Sequence, residues 1–183
     1  MEDISLHILD IAENALKADA TRIEISVIED IEEDRLKVQI LDNGRGMDEG
    51  MIQTVTDPFV TTRTERRVGL GLPLLAASAR MAGGDIKIKS DPGKATLVEA
   101  DFVLSHIDRK PLGDMVRTMM MLIVGNPGVD FSYHHQKGDR TYYLDTTDLR
   151  KTLEEIPINH PEVIKLIKKD LAEGLKKLGV VFY

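Results

Sequence analysis

The alternating run Arg35-Leu36-Lys37-Val38-Gln39-Ile40-Leu41 ends directly at Asp42-Asn43-Gly44-Arg45-Gly46-Met47. Period-two alternation marks a strand with one buried face. Two glycines placed just beyond it mark a loop whose backbone approaches something closely. A helical segment carrying Asp10 and Asn14 precedes this strand. Roughly twenty residues after it, a separation of βαβ scale, Gly69-Leu70-Gly71-Leu72 opens an apolar helical segment. Each piece alone is a weak signal. In this order they confine the chain to an α/β arrangement in which two glycine-rich turns and a polar helix face converge, and they point to an adenine-nucleotide pocket.

Around these pieces the elements follow. Ile4, Ile8, Ile11, Ala12 and Ala15 recur at helical spacing. At 100° per residue His7, Asp10, Asn14 and Lys17 are expected on the opposite, polar face. Thr21–Glu29 and Arg35–Leu41 form an expected hairpin across Asp30-Ile31-Glu32-Glu33-Asp34. A short helix over 48–55 takes Asp48 as its cap. Residues 57–68 read as a mobile polar loop. The helix over 69–81 has Pro73 in its first turn and stops at Gly83-Gly84. Strands over 85–90 and 94–104 flank Asp91-Pro92-Gly93-Lys94. Residues 1–104 thus read as α-β-β-α-α-β-β, a two-layer α/β sandwich with helices on one sheet face.

After Ser105–Pro111 the rhythm changes, and residues 105–183 read as a small α+β appendage. It holds a Met-rich helix (115–124), a hairpin (130–135 with 140–145) and helices over 147–155 and 161–178. Asn159 or His160 caps the last helix, with Pro161 at its first position. Met115, Met119, Met120 and Met121 are expected to fill core, as flexible gap-fillers. His134 and His135 are strand neighbours and point to opposite faces, which argues against a metal site there.

Composition removes several classes. The chain has no cysteine, which excludes disulfides, thiolate metal sites and cysteine nucleophiles and fits a reducing compartment. No apolar run approaches the roughly 18 residues of a membrane span, and the start lacks a signal-peptide pattern, so a cytoplasmic protein without a membrane partner is expected. The net charge is −7, but residues 1–104 hold 12 Lys+Arg against 20 Asp+Glu while residues 105–183 hold 12 against 11. Such acidity argues against nucleic acid as a partner. It also means that a bound polyphosphate needs a divalent cation and a few placed basic residues.

A nucleotide pocket has four requirements, and each has a candidate. Asp42, at a strand end, is placed to accept from the adenine amine, with Gly44 and Gly46 allowing the base close to the backbone. Gly69-Leu70-Gly71, at the head of a helix, offers N–H groups to phosphate. Asn14 offers an oxygen to Mg²⁺. Asp10, one turn before Asn14, is a carboxylate base for an attacking water or hydroxyl.

These motifs resemble the GHKL superfamily, the ATP-binding domains of gyrase, the large heat-shock chaperone, histidine kinases and MutL. The match runs over about residues 3–104, a span longer than any single glycine motif covers. The Asn box is Asp10-Ile-Ala-Glu-Asn14-Ala-Leu-Lys17 and the first glycine box Asp42-Asn-Gly44-Arg-Gly46-Met47. A histidine-kinase-like lid follows in Asp57-Pro58-Phe59-Val60-Thr61-Thr62-Arg63, then the second glycine box Gly69-Leu70-Gly71-Leu72 and a closing Ser90-Asp-Pro-Gly93-Lys-Ala95-Thr96. Ala95 departs from a glycine common in the closing box.

The resemblance implies a Bergerat-type fold binding ATP or ADP with Mg²⁺. Asn14 would be the metal ligand, and Asp42 the adenine reader. Gly44, Gly46, Gly69 and Gly71 would make backbone contacts, with Met47, Thr62, Leu70 and Leu72 in the same boxes. Lys17 and Arg63 would be phosphate-side cations, Thr96 a polar contact near the base, and Asp10 would hold the place of the general base. The Asn-box helix begins at the N-terminus, so no phosphoacceptor-histidine hairpin is expected before it, and His7 lies on that helix itself. The expected protein is a Mg-ATP-binding regulator of histidine-kinase-like ATPase type that transfers phosphate to a partner protein. The alternatives are a slow ATPase switch with Asp10 as base, or a nucleotide-sensing module without turnover. The C-terminal segment is expected to meet a protein partner or a second copy.

Overall fold

A computed structural model describes residues 2–54 and 71–180. The expected lid loop, with Thr62, Arg63, Gly69 and Leu70, lies outside the described residues. In chain order the elements are α1 (Ile4–Lys17), β1 (Arg22–Asp30), β2 (Arg35–Asp42), α2 (Glu49–Thr54), α3 (Gly71–Met81), β3 (Asp85–Asp91) and β4 (Ala95–Val103). They continue with α4 (Met115–Gly125), β5 (Asp130–Lys137), β6 (Arg140–Asp145), α5 (Thr146–Leu153) and α6 (Pro161–Leu178).

The strands make one mixed six-stranded sheet in the order β3-β4-β2-β1-β5-β6. Neighbours are antiparallel except β1 and β5, which run parallel with Ile23 opposite Phe131 and Ile25 opposite Tyr133. Alternation decides which side is covered. Ile23, Ile25 and Val27, Leu36, Val38 and Ile40, and Val98, Ala100 and Phe102 are all buried on the face that meets the helices. The hairpin expected as part of an appendage therefore extends the main sheet, because β5 supplies Phe131, Tyr133 and His135 to the same buried face.

Helix α1 lies over the sheet between α3 and α4. Asp3 caps it, accepting from the Leu6 amide at 3.0 Å. Here one expectation fails. His7, assigned to the polar face with Asp10, is fully buried. At 100° per residue His7 lies only about 40° from Ile11 and about 60° from Ile4, on the flank of the apolar stripe and not opposite it. In the fold the segment before α4 also crosses the start of α1, where the Ile4 amide donates to the Pro111 carbonyl at 3.0 Å and the Ser5 amide to Leu112 at 2.8 Å. The sheet, α3 and this strap enclose the sector of α1 that carries His7.

Polar clamps hold the C-terminal hairpin to the sheet. The Arg22 guanidinium on β1 donates to Asp145 at 2.8 Å, to Thr147 at 3.0 Å and to Glu24 at 2.8 Å, reaching past β5 to the β6–α5 junction. His135, buried beneath the β1–β5 seam, stands between the Tyr133 hydroxyl at 2.8 Å and Glu29 at 2.9 Å. The methionines divide as their positions on α4 dictate: Met115 and Met119 are core, while Met121 is 49% exposed.

Burial alone would raise the Asp145 carboxyl, but hydrogen bonds from Arg22, Thr147 and Tyr143 hold it down at about 2. A carboxyl depressed below its unfolded value stabilises the fold above that unfolded value, about 3.9, and the benefit disappears as pH falls toward 2. Arg22→Met is expected to cost about 1–2 kcal/mol at pH 7, since it strands a mostly buried carboxylate. In urea melts the gap between the two proteins should narrow as pH drops from 4 to 2. A gap independent of pH would remove the ion pair as its cause.

Candidate functional site

At one end of the sheet, on the helix side, three polar side chains form a row. The register sets Asp42 opposite Thr96 and Thr96 opposite Ser90. Each continues its strand's inward alternation, as Asp42 follows Leu36, Val38 and Ile40, so the row sits where the apolar core ends. Asp42 is buried, and Thr96 nearly so. The Asp42 Oδ1 accepts from the Gly44 amide at 2.8 Å. Burial pushes the Asp42 carboxyl up, and the Gly44 N–H opposes this only in part. The Ser90 hydroxyl lies 2.9 Å from Thr96 Oγ1 and accepts from the Met47 amide at 2.8 Å. A buried carboxylate with one partner beside two hydroxyls is built to meet a polar, planar group.

The loop after β2 is held open by its surroundings. Asn43 Oδ1 accepts from the amides of Thr21 and Arg22, at 2.9 and 2.8 Å. The Arg45 amide donates to the Ala18 carbonyl at 2.9 Å, and the Gly93 amide to the Arg45 carbonyl at 2.6 Å. Both glycines are needed as glycines. A Cβ at Gly44 would stand 2.8 Å from the Ala18 oxygen, and Gly46 adopts φ +67° against the Asp91 carbonyl.

Across from this row, α1 and α3 meet. A Cβ at Gly71 would overlap the Asp10 carboxylate, so the head of α3 sits directly on that side chain. Asp10 Oδ2 is buried without a hydrogen-bond partner among the described residues. Asn14, one turn further on, is half-buried, and Leu72 is core. Lys17, expected beside phosphate, pairs with Glu13 at 3.8 Å on the exposed side of α1. Thus Asp10, Asn14 and Gly71 gather on the α1–α3 side, and Asp42, Gly44, Gly46, Met47 and Thr96 on the sheet-end side. Sequence reasoning quoted Ser90 and Asn43 inside motifs without assigning them roles. Ser90 was findable, since a hydroxyl two residues past a core-facing Ile88 must share its face. The described residues contain no cluster of His, Asp or Glu able to hold a metal by itself. No helix among them is long and apolar enough to cross a membrane.

Gly71→Ala forces α3 outward or turns Asp10 aside. It is expected to cost about 1–3 kcal/mol in urea denaturation, as overpacking does. Gly128→Ala, where an added Cβ meets nothing, should stay within about 0.5 kcal/mol of the parent. Equal stability of all three proteins would show that α1 and α3 are not in close contact there.

Residues 2–106 match the family model described as histidine kinase-, DNA gyrase B- and HSP90-like ATPase. A putative sensor protein of Shewanella frigidimarina is 33% identical over 103 residues, 55% of this chain and 16% of that protein. The sensor protein kinase FleS of Pseudomonas aeruginosa is 34% identical over 105 residues, 57% of this chain and 25% of that protein. The chain therefore spans a quarter or less of these relatives' lengths. A crystal structure of the N-terminal domain of a DNA repair protein superposes with a TM-score of 0.52 at 13% identity, over 79% of this chain and 53% of that one, a likeness of fold. With the family model covering more than half of its length, this chain belongs to the histidine kinase-, DNA gyrase B- and HSP90-like ATPases.

Proposed function

We propose that this protein binds Mg-ATP and transfers phosphate to a partner protein. The family implies ATP and Mg²⁺, and the residues present fit them. Asp42 is a buried acceptor at the end of the sheet. Gly44, Gly46 and Gly71 bring backbone against the Ala18 carbonyl, the Asp91 carbonyl and the Asp10 carboxylate, where a side chain has no room. Asp10 holds a buried, unpartnered oxygen at the head of α3. The observation that carries the reading is this last one, a carboxylate set against a helix N-terminus on the same face as Asn14.

In this reading Asp42 accepts from the adenine amine, while Ser90 and Thr96 close the rim beside it. The N-terminal end of α3 carries the partial positive charge that favours phosphate, and Asn14 contributes an oxygen to the metal. When bound, Mg-ATP supplies an activated γ-phosphoryl group; the protein's share is positioning and charge neutralisation. Asp10 takes the proton from the attacking hydroxyl. The same unpartnered oxygen supports a second reading, in which Asp10 orients water and the protein is a slow ATPase switch. The segment after residue 104 is proposed as the partner-contacting part. There Met120, Met121, Val124 and Ile164 line a groove of about 670 Å³ between α4 and α6, rimmed by Asp114, Arg117 and Lys168.

Calorimetric titration with Mg-ATP tests the pocket. Asp42→Ala should weaken binding at least tenfold, about 1.4 kcal/mol, and unchanged affinity would end the adenine assignment. Single-turnover experiments with γ-labelled ATP separate the chemistries. If Asp10 is a hydrolytic base, wild type releases labelled phosphate and Asp10→Asn does not. If wild type binds ATP without converting it, the kinase reading requires that an added partner become labelled.

A further inference from the structure

Histidine 7 has no part in the site as described, yet its placement is unusual. Its side chain is fully buried on α1, and neither Nδ1 nor Nε2 completes a hydrogen bond among the described residues. Four buried side-chain atoms among the described residues lack a partner. Three of them belong to His7 and Asp10, three residues apart on α1, and the fourth is Ser78 Oγ on α3. The unmet polar groups are thus concentrated on α1 and α3 rather than scattered through the core. A buried polar atom left unpaired in a native protein calls for an explanation, and a functional site is one of the recognised ones.

The surroundings of His7 say what it is near. Its ring approaches the Gly71 backbone without reaching hydrogen-bond geometry, on the side of α3 that also meets Asp10. The strap crosses α1 within a turn of His7, its carbonyls receiving the Ile4 and Ser5 amides, and the Lys110 charge just before them acts on the ring. Gly113, at φ +83°, packs so closely on Asp3 and Ser5 that a side chain there has no room. Burial, and next the nearby Lys110 charge, push the imidazole down to about 4, so at neutral pH it is an uncharged ring with one N–H to give.

We propose that His7 is a positioning residue for Gly71 at the head of α3. Its neutral N–H is given to the Gly71 backbone when nucleotide seats against α3, so that the head of α3 is set from behind by the strap that leads into the C-terminal segment. Hydrogen bonds at functional sites are often long in the free protein and tighten in the complex. This rests on the nucleotide reading above. It adds that the C-terminal segment and the phosphate end of the pocket communicate through one side chain.

A purely structural histidine and a positioning one behave oppositely when replaced. His7→Leu keeps the volume and removes two unpaired nitrogens, so the melting temperature should hold or rise while Mg-ATP affinity falls at least tenfold by calorimetry. His7→Asn and His7→Gln each keep an N–H at one of the two ring-nitrogen positions, and one of them should restore affinity to within about threefold of wild type. Loss of stability and affinity together in all three variants would make His7 a packing residue and overturn the proposal. Unchanged affinity in His7→Leu would overturn it as well. If wild type itself binds no nucleotide, the underlying reading fails first, and that outcome is distinguishable from both.

Discussion

Two helices meet where the Asp10 carboxylate of α1 lies against the Gly71 backbone of α3, and the arrangement of the site follows from that contact. Helix α1 can lie low on the sheet because its inner face is Ile4, Ile8, Ile11, Ala12 and Ala15. Helix α3 can lie close beside it because Ala76 and Ala79 on its own inner face are small. At that approach any residue but glycine at position 71 collides with the Asp10 carboxylate. The closeness that serves packing is also what leaves an acidic oxygen buried and unsatisfied. A buried oxygen without a partner costs stability at that point.

Most of the elements were legible in the sequence. Alternation fixed the inward faces of β1, β2 and β4, and so the direction of Asp42 and Thr96, since period two leaves no freedom once one face is covered. One start was legible: of Asn159 and His160, the structure makes His160 the cap of α6, with Pro161 at its first position. His7 was not. It sits one turn before Ile11 on the flank of the apolar stripe, and periodicity does not say how far the covered sector extends; the strap at Pro111–Leu112 that crosses the start of α1 is remote in the chain. The continuation of the sheet into β5 was hidden for a related reason. The run Asp130–Lys137 announces a strand, but its pairing with β1 is parallel and remote, and local patterning carries no record of remote partners.

The glycine positions show the same division. Gly44 and Gly46 were expected to leave room for a planar base; what the structure sets against them is the chain's own Ala18 and Asp91 carbonyls, which local sequence does not announce. Asn43, read in isolation, is an ordinary turn residue. In the fold it latches the start of β1, accepting two amides with one side-chain oxygen. The loop that faces the pocket is therefore tied to the end of α1, to β1 and to the β3–β4 turn at once.

The parallel seam between β1 and β5 has a consequence for how the chain reaches its final form. Ser26 and His134 face each other across it while lying 108 residues apart in the sequence. Pairings of such span are entropically slow to establish, and they wait until both partners exist. During synthesis β1 emerges early and has β2 as an immediate neighbour, but its other edge stays bare until β5 leaves the ribosome. For that interval Ile23, Ile25 and Val27 belong to an open strand edge, the kind of edge that invites wrong partners. The two polar clamps, Arg22 to Asp145 and His135 to Glu29, are then the contacts that mark the correct strand when it arrives.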